Sequence, residues 1–146
     1  MALEADSGQT VWDSYSIPAP AVSVGKTSAG VDVLAPSGAP VWTSPTIDKE
    51  KNLLLFGTGE NYSSPADNNS DSIIAVDLDT GARRWARQTF EGDAWNVACM
   101  MANNPNCPEE DGPDYDQASS PLLITTKEGK AFVVAGQKDG RVFALD

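Results

Sequence analysis

Ala75-Val76-Asp77-Leu78-Asp79-Thr80-Gly81, with Trp85 four residues beyond the glycine, decides the fold of this chain. Two apolar residues lead into Asp77 and then Asp-Thr-Gly, so a short strand ends in a tight turn and Trp85 falls on the next strand. The same signature opens the sequence as Ala2-Leu3-Glu4-Ala5-Asp6-Ser7-Gly8 with Trp12, and Ala144-Leu145-Asp146 begins it a third time. A hairpin recurring at a long, fixed period marks a repeat architecture. A second hairpin recurs between these copies. Val41-Trp42-Thr43-Ser44-Pro45-Thr46-Ile47-Asp48 and Asn52-Leu53-Leu54-Leu55-Phe56-Gly57-Thr58-Gly59 read as strands joined at Lys49-Glu50-Lys51. Ser119-Ser120-Pro121-Leu122-Leu123-Ile124-Thr125-Thr126 and Ala131-Phe132-Val133-Val134-Ala135-Gly136 repeat them across Lys127-Glu128-Gly129.

Each repeat is therefore four strands whose aliphatic runs suit sheets buried on both faces. The expected fold is all-β, a fragment of a β-propeller of about two four-stranded blades. Residues 1–16 would end one blade, 39–90 form a complete blade and 116–146 an incomplete one, with 17–38 and 91–115 as long connections. A β-sandwich is the competing architecture, but it gives no reason for the turn and its spaced Trp to recur. Trp12 and Trp85 are expected to dock between blades. Because Ala2 and Ala144 hold the same place in the motif, the chain is expected to be a slice of a larger propeller that self-associates through its blade edges as a homo-oligomer.

Composition narrows the chemistry. A formal charge of −11 with only ten basic residues repels phosphate backbones and anionic lipid, which argues against nucleic acid as a partner. The absence of histidine rules out His-ligated metals, a Ser-His-Asp triad and an imidazole shuttle. No apolar run reaches membrane-spanning length, and the first residues carry no signal-peptide pattern. Cys99 and Cys107 lie in a turn-rich stretch, where a bridge suited to an oxidising compartment and two free thiols are both open. Residues 61–71 and 89–117 interrupt the repeat as long insertions. Asp67-Asn68-Asn69-Ser70-Asp71 begins like a calcium loop, yet Ser72 and Leu78 replace its turn glycine and closing glutamate, so a solvated polar loop is expected. The acidic run Glu109-Glu110-Asp111-Gly112-Pro113-Asp114-Tyr115-Asp116 is likewise expected to be hydrated.

Gly38-Ala39-Pro40-Val41-Trp42-Thr43-Ser44-Pro45, Leu55-Phe56-Gly57-Thr58-Gly59-Glu60-Asn61, Gly92-Asp93-Ala94-Trp95-Asn96 and Gly136-Gln137-Lys138-Asp139-Gly140 follow in the order found in one enzyme family. The chain resembles the pyrroloquinoline-quinone (PQQ) dependent alcohol dehydrogenases, quinoproteins built as eight-bladed propellers, and most closely their polyvinyl-alcohol dehydrogenase-like branch. The resemblance implies PQQ and calcium as cofactors, an alcohol as substrate, a cytochrome or quinone as electron acceptor, and a periplasmic or secreted parent protein. It implies Trp42 as the flat floor beneath the quinone, and Glu60 or Asn61 as a calcium ligand. Asp93 becomes the base that takes the alcohol proton and also faces the metal, and Lys138 the cation at the reactive carbonyl. Asn96 stands where the family often has a second Asp, and the adjacent-cysteine ring of many members cannot form here. The isolated fragment is expected to be inactive. The alternative is a cofactor-free propeller module for binding or scaffolding, which has no need of Glu60/Asn61, Asp93 and Lys138 together.

Overall fold

A computed structural model describes residues 1–146. Its centre is an antiparallel meander of β5 (Thr46–Asp48), β6 (Leu53–Gly57), β7 (Ser72–Asp77) and β8 (Arg83–Gln88), hydrogen-bonded in that order. β7 carries Ile73, Ile74 and Val76 and is buried at every residue, as a β-branched strand flanked on both edges and covered on both faces should be. Phe56, Ile74 and Val76 form the core, with Leu54 and Trp12 packed against it.

Two further sheets flank this blade. β1 (Ala2–Leu3) pairs with β2 (Thr10–Trp12), and β9 (Leu122–Thr125), β10 (Ala131–Gly136) and β11 (Val142–Leu145) form a three-stranded sheet in the order β11-β10-β9. The only helical element is a 3-10 turn at Val97–Met100, and no helix is long and apolar enough to cross a membrane.

The repeated motif has the same backbone in both full copies. Glu4 N–H donates to Gln9 O and Gly8 N–H to Glu4 O, both at 2.8 Å; Asp77 N–H donates to Ala82 O at 2.8 Å and Gly81 N–H to Asp77 O at 2.9 Å. Gly8 and Gly81 take φ of +69° and +70°, the left-handed region that only glycine enters without strain. Asp77 Oδ1 accepts from the N–H groups of Asp79 and Thr80 and from the Thr80 hydroxyl, while Oδ2 pairs with Arg84 at 2.7 Å. The hydrogen bonds from Arg84 and Thr80 pull the Asp77 carboxyl down to about 2.

Trp12 lies against the second of these turns. Its indole Nε1 donates to Leu78 O at 3.1 Å, and a Cβ placed on Gly81 would come within 2.4 Å of the ring. Trp85 is half-buried in the groove between the central blade and β9–β11, beside Leu55, Leu123 and Phe132.

Three expectations change. Residues 17–38 contain a hairpin, β3 (Val22–Lys26) with β4 (Asp32–Ala35), turned at Gly30. Every residue of β3 is exposed, so no burial pattern marks it, although the Val22/Val24 and Val31/Val33 alternation is the signal that was there. Residues 41–45 are not strand, because the preceding segment spends its backbone on the loop after β6: Ala39 N–H donates to Glu60 O, and Pro40 O accepts from Gly59 N–H. Residues 67–71 are not a solvated loop. Asn69, Ser70 and Asp71 are buried, with Asn69 Oδ1 accepting from Arg83 and Asp67 anchored on the Asn61 amide.

Asp71 is completely buried, adopts φ +49°, and has no hydrogen-bond partner for either carboxyl oxygen. Burial, reinforced by the charge of Asp93, pushes its carboxyl up to about 8. A group raised in the folded state stabilises fully below its unfolded value near 3.9 and loses that contribution as pH climbs toward 8. Melting temperature should therefore fall from pH 5 to pH 9, and Asp71→Asn should flatten the decline; parallel slopes in the two proteins would contradict this.

Gly8→Ala should cost about 1–2 kcal/mol for the left-handed backbone alone, since nothing lies within 4 Å of its added Cβ. Gly81→Ala should cost about 1–3 kcal/mol more, because the methyl group meets Trp12. Urea denaturation of the two variants checks the order.

Candidate active site

β6 and β8 are both antiparallel to β7, so their C-terminal ends lie at the same end of the blade. The loop after β6 brings Glu60 and Asn61 there, and the loop after β8 brings Asp93, Asp114 and Asp116. The turn after β10 joins them, as Gln117 bridges to Gln137 and Lys138 N–H donates to Asp116 O at 3.0 Å. Gly57-Thr58-Gly59 passes directly under this segment: a Cβ on Gly59 would sit 2.3 Å from Asp116 Oδ1. The close approach lets Glu60 N–H donate to that oxygen at 2.9 Å.

The result is a compact charged group. Carboxylate oxygens of Glu60, Asp114 and Asp116 all lie within 4.8 Å of one another. Lys138 Nζ stands 2.6 Å from Asp114 Oδ1 and 2.5 Å from Asp116 Oδ2, and 5.3 Å from the centroid of the Trp42 ring. Glu60 and Asp116 are buried, whereas the Asp114 and Lys138 side chains remain 30% and 34% exposed and Trp42 54%. Asp114 is thus the open carboxylate, and the indole of Trp42 presents a flat surface beside it.

Three carboxyls against one ammonium leave an excess of negative charge, and the group accommodates it by sharing a proton. Burial first, then a hydrogen bond to Asp116 and the charges of Asp116 and Asp114, push Glu60 up to about 8. Burial also works against the Asp116 anion, but hydrogen bonds from Glu60 and Lys138 outweigh it and hold Asp116 below its ordinary value. The proton resides on Glu60. Burial disfavours the Lys138 ammonium, yet its bonds to Asp114 and Asp116 dominate and raise it, so it remains charged.

Glu60, Lys138 and Trp42 are thereby brought together, and Asn61 and Asp93 stand behind them in structural positions. Asn61 is fully buried: its Oδ1 accepts from Asp67 N–H at 2.7 Å, and its Nδ2 donates to Ser37 O at 2.9 Å. Asp93 is fully buried too, with Oδ1 accepting from Asp114 N–H at 3.1 Å and Oδ2 from Tyr115 N–H at 2.8 Å. Burial raises the Asp93 carboxyl against the opposing pull of these two bonds. Its carboxylate is the bracket that fixes Asp114. Asn96 caps the 3-10 turn through Ala98 N–H and binds Tyr62 O and Asn106 O.

Asp114 and Asp116 were missing from the sequence-based set. The acidic run 109–116 is not simply hydrated: its last Asp is buried against Glu60 and Lys138. No spacing rule could have found them, since Asp114 sits at φ +64°, outside extended backbone. A disulfide joins Cys99 and Cys107 and closes the question the sequence left open.

Calcium and PQQ can be tested against this arrangement. Three clustered carboxylate oxygens are the hard donor set calcium takes, and a divalent cation would displace the proton that Glu60 now holds. The Trp42 indole, half exposed and with the Lys138 ammonium over its ring at 5.3 Å from the centroid, offers an aromatic surface and a cation to a planar, electron-poor ring. The residues present fit both groups.

The family model described as "Glucose/ethanol/alcohol dehydrogenase, beta-propeller domain" matches residues 1–146. Among curated relatives, a polyvinylalcohol dehydrogenase of Pseudomonas sp. is 34% identical over the whole chain, which spans 22% of that protein. A polyvinylalcohol dehydrogenase of Sphingopyxis sp. (strain 113P3) is also 34% identical over the whole chain, which spans 23% of its length. Among solved structures, a quinohemoprotein alcohol dehydrogenase, ADHIIG of Pseudomonas putida HK5, matches 99% of the chain at 24% identity with a TM-score of 0.66, the chain covering 22% of it. A quinohemoprotein alcohol dehydrogenase of Comamonas testosteroni matches 75% of the chain at 30% identity with a TM-score of 0.55, over 16% of its own chain. The sheets and turns described above are thus a fragment of a β-propeller, and the chain belongs to the PQQ-dependent glucose/ethanol/alcohol dehydrogenase family.

Proposed function

We propose that this chain carries one face of the catalytic centre of a PQQ- and calcium-dependent alcohol dehydrogenase that oxidises secondary alcohols of the kind found in polyvinyl alcohol. The observation that carries this reading is Lys138, held by Asp114 and Asp116 over the ring of a half-exposed Trp42, with Glu60 completing the carboxylate group. The substrate class follows the two relatives at 34% identity, which are polyvinylalcohol dehydrogenases.

In this reading Trp42 is the floor, and Glu60, Asp114 and Asp116 hold calcium. When bound, PQQ supplies the acceptor for the hydride that leaves the alcohol carbon. The part given to Asp93 by sequence passes to Asp114, because both Asp93 oxygens are taken by backbone N–H groups, whereas Asp114 is partly exposed and is paired through Oδ1, with Lys138. Asp114 accepts the hydroxyl proton and is kept in place by Asp93. Lys138, fixed in its charged form, stabilises negative charge developing beside it. Asn61 sets the loop that aims Glu60 and leaves ligation to the glutamate.

The chain spans 22% and 23% of these relatives, so by itself it is expected not to turn over. The electrons would pass on to a cytochrome or quinone, and the Cys99–Cys107 bridge accords with a periplasmic or secreted setting.

Because calcium must displace the Glu60 proton, its affinity should rise roughly tenfold per pH unit up to about pH 8 and then level. Glu60→Gln should bind calcium at least about tenfold more weakly and lose most of that pH dependence. Isothermal titration calorimetry measures both. Fluorescence quenching by PQQ in the presence of calcium should be reduced in Trp42→Phe; quenching that is absent, or indifferent to calcium, would remove the cofactor reading.

A further inference from the structure

Beside the carboxylate group lies an open cleft of about 640 Å³, within the range of ligand sites, that the proposed chemistry does not use. One wall is the β3–β4 hairpin, through Val24, Val33 and Leu34; the other is the proline-rich segment that the Cys99–Cys107 bridge fastens down, through Pro105 and Pro108. Tyr62, 44% exposed, also lines the cleft and follows Glu60 and Asn61 in the loop after β6, so the cleft adjoins the site.

The cleft is held open by its own bonds. Ser63 Oγ donates to Leu34 O at 2.7 Å, tying this loop to the hairpin. Asn96 Nδ2 donates at 3.0 Å to both Tyr62 O and Asn106 O, tying the loop to the opposite wall. Glu110 accepts from Ala66 N–H at 2.8 Å and from the Ser64 hydroxyl, closing the end of the trough. Neither wall needs to be ordered by a ligand, which lowers the cost of binding one.

We propose that this cleft is a subsite for the chain of an uncharged 1,3-polyol that extends away from the reacting hydroxyl. The inference rests on the proposed alcohol dehydrogenase function and adds where the remainder of a long substrate lies. Two observations select that chemistry. The lining sets the apolar side chains of Val24, Val33, Leu34, Pro105 and Pro108, which suit methylene groups, beside the carboxylate of Glu109, which suits a hydroxyl. Asp32, Glu109 and Glu110 also outnumber Lys26 on the lining, so a polyanion is disfavoured and a neutral chain is not.

The test needs no turnover and no cofactor. Vinyl-alcohol oligomers of increasing length are titrated into the whole chain by calorimetry, beside isopropanol and a neutral gluco-oligosaccharide. Affinity should rise with oligomer length. Gly25→Trp, where an added side chain meets nothing within 4 Å, and Asn106→Trp on the opposite wall should each weaken binding of the long oligomer about tenfold. Both should leave the melting temperature and the calcium-dependent PQQ quenching unchanged, and Lys127→Trp at the remote end of β9 should change nothing. The subsite is overturned if long and short alcohols bind alike, if neither wall variant weakens the oligomer, or if the gluco-oligosaccharide is preferred. Failure of PQQ quenching with polyol binding intact would instead count against the cofactor reading alone.

Discussion

Asp116 is the residue through which two sheets become one site. Its Oδ1 receives the Glu60 N–H from the loop after β6, its carbonyl receives the Lys138 N–H, and its Oδ2 pairs with the Lys138 ammonium from the turn after β10. A buried carboxylate is tolerable only when its lone pairs are used and its charge is answered, and here both conditions are met by groups from different blades. The arrangement demands that the backbone at Gly59 come closer than any side chain permits. Glycine there, the anion at Asp116 and the cation at Lys138 are therefore one requirement rather than three separate features.

That requirement leaves the site electrostatically unbalanced. A blade end designed for stability alone would not collect three carboxyls around a single lysine, since like charges in a buried setting raise one another's cost. The imbalance is absorbed as a proton on Glu60, a state that a divalent cation can exchange. Asp71, at the same end of the blade with its N–H on Gly59 O, differs in that neither of its carboxyl oxygens has a hydrogen-bond partner; burial, reinforced by the charge of Asp93, raises it.

The architecture was legible because its signals are local. The Asp77–Gly81 turn is specified by Asp77, Thr80 and Gly81 within five residues, and the Trp four residues on is placed by strand geometry alone. Trp42, Glu60 and Lys138, which the fold brings together, were matched from short segments and their order. Asp93 was drawn from the same kind of match, but whether a carboxylate points outward to a ligand or inward to backbone N–H groups depends on where residues 112–116 fold back, which spacing does not encode. Asp114 and Asp116 were obscured for the opposite reason. An acidic run is hydrated by default, and only the lysine arriving from another blade makes its burial favourable. The β3–β4 hairpin escaped notice because both its strands are largely exposed, and a strand without a buried face has little periodicity to read.

The two insertions and this hairpin share a structural logic. Each is long for a connection, and each is fastened at the same end of the sheets: residues 61–71 through Asp71 N–H to Gly59 O, residues 89–117 through Asp116 to Glu60 N–H, and the hairpin through Ser63. A propeller strand cannot be lengthened without disturbing its register with both neighbours, so additions to the blade accumulate where strands end. The blade itself supplies little reactive chemistry, β7 being a closed apolar strand. What it supplies is a common edge at which Glu60, Asp114, Asp116 and Lys138 can be set within reach of one another while the surrounding loops shape what approaches them.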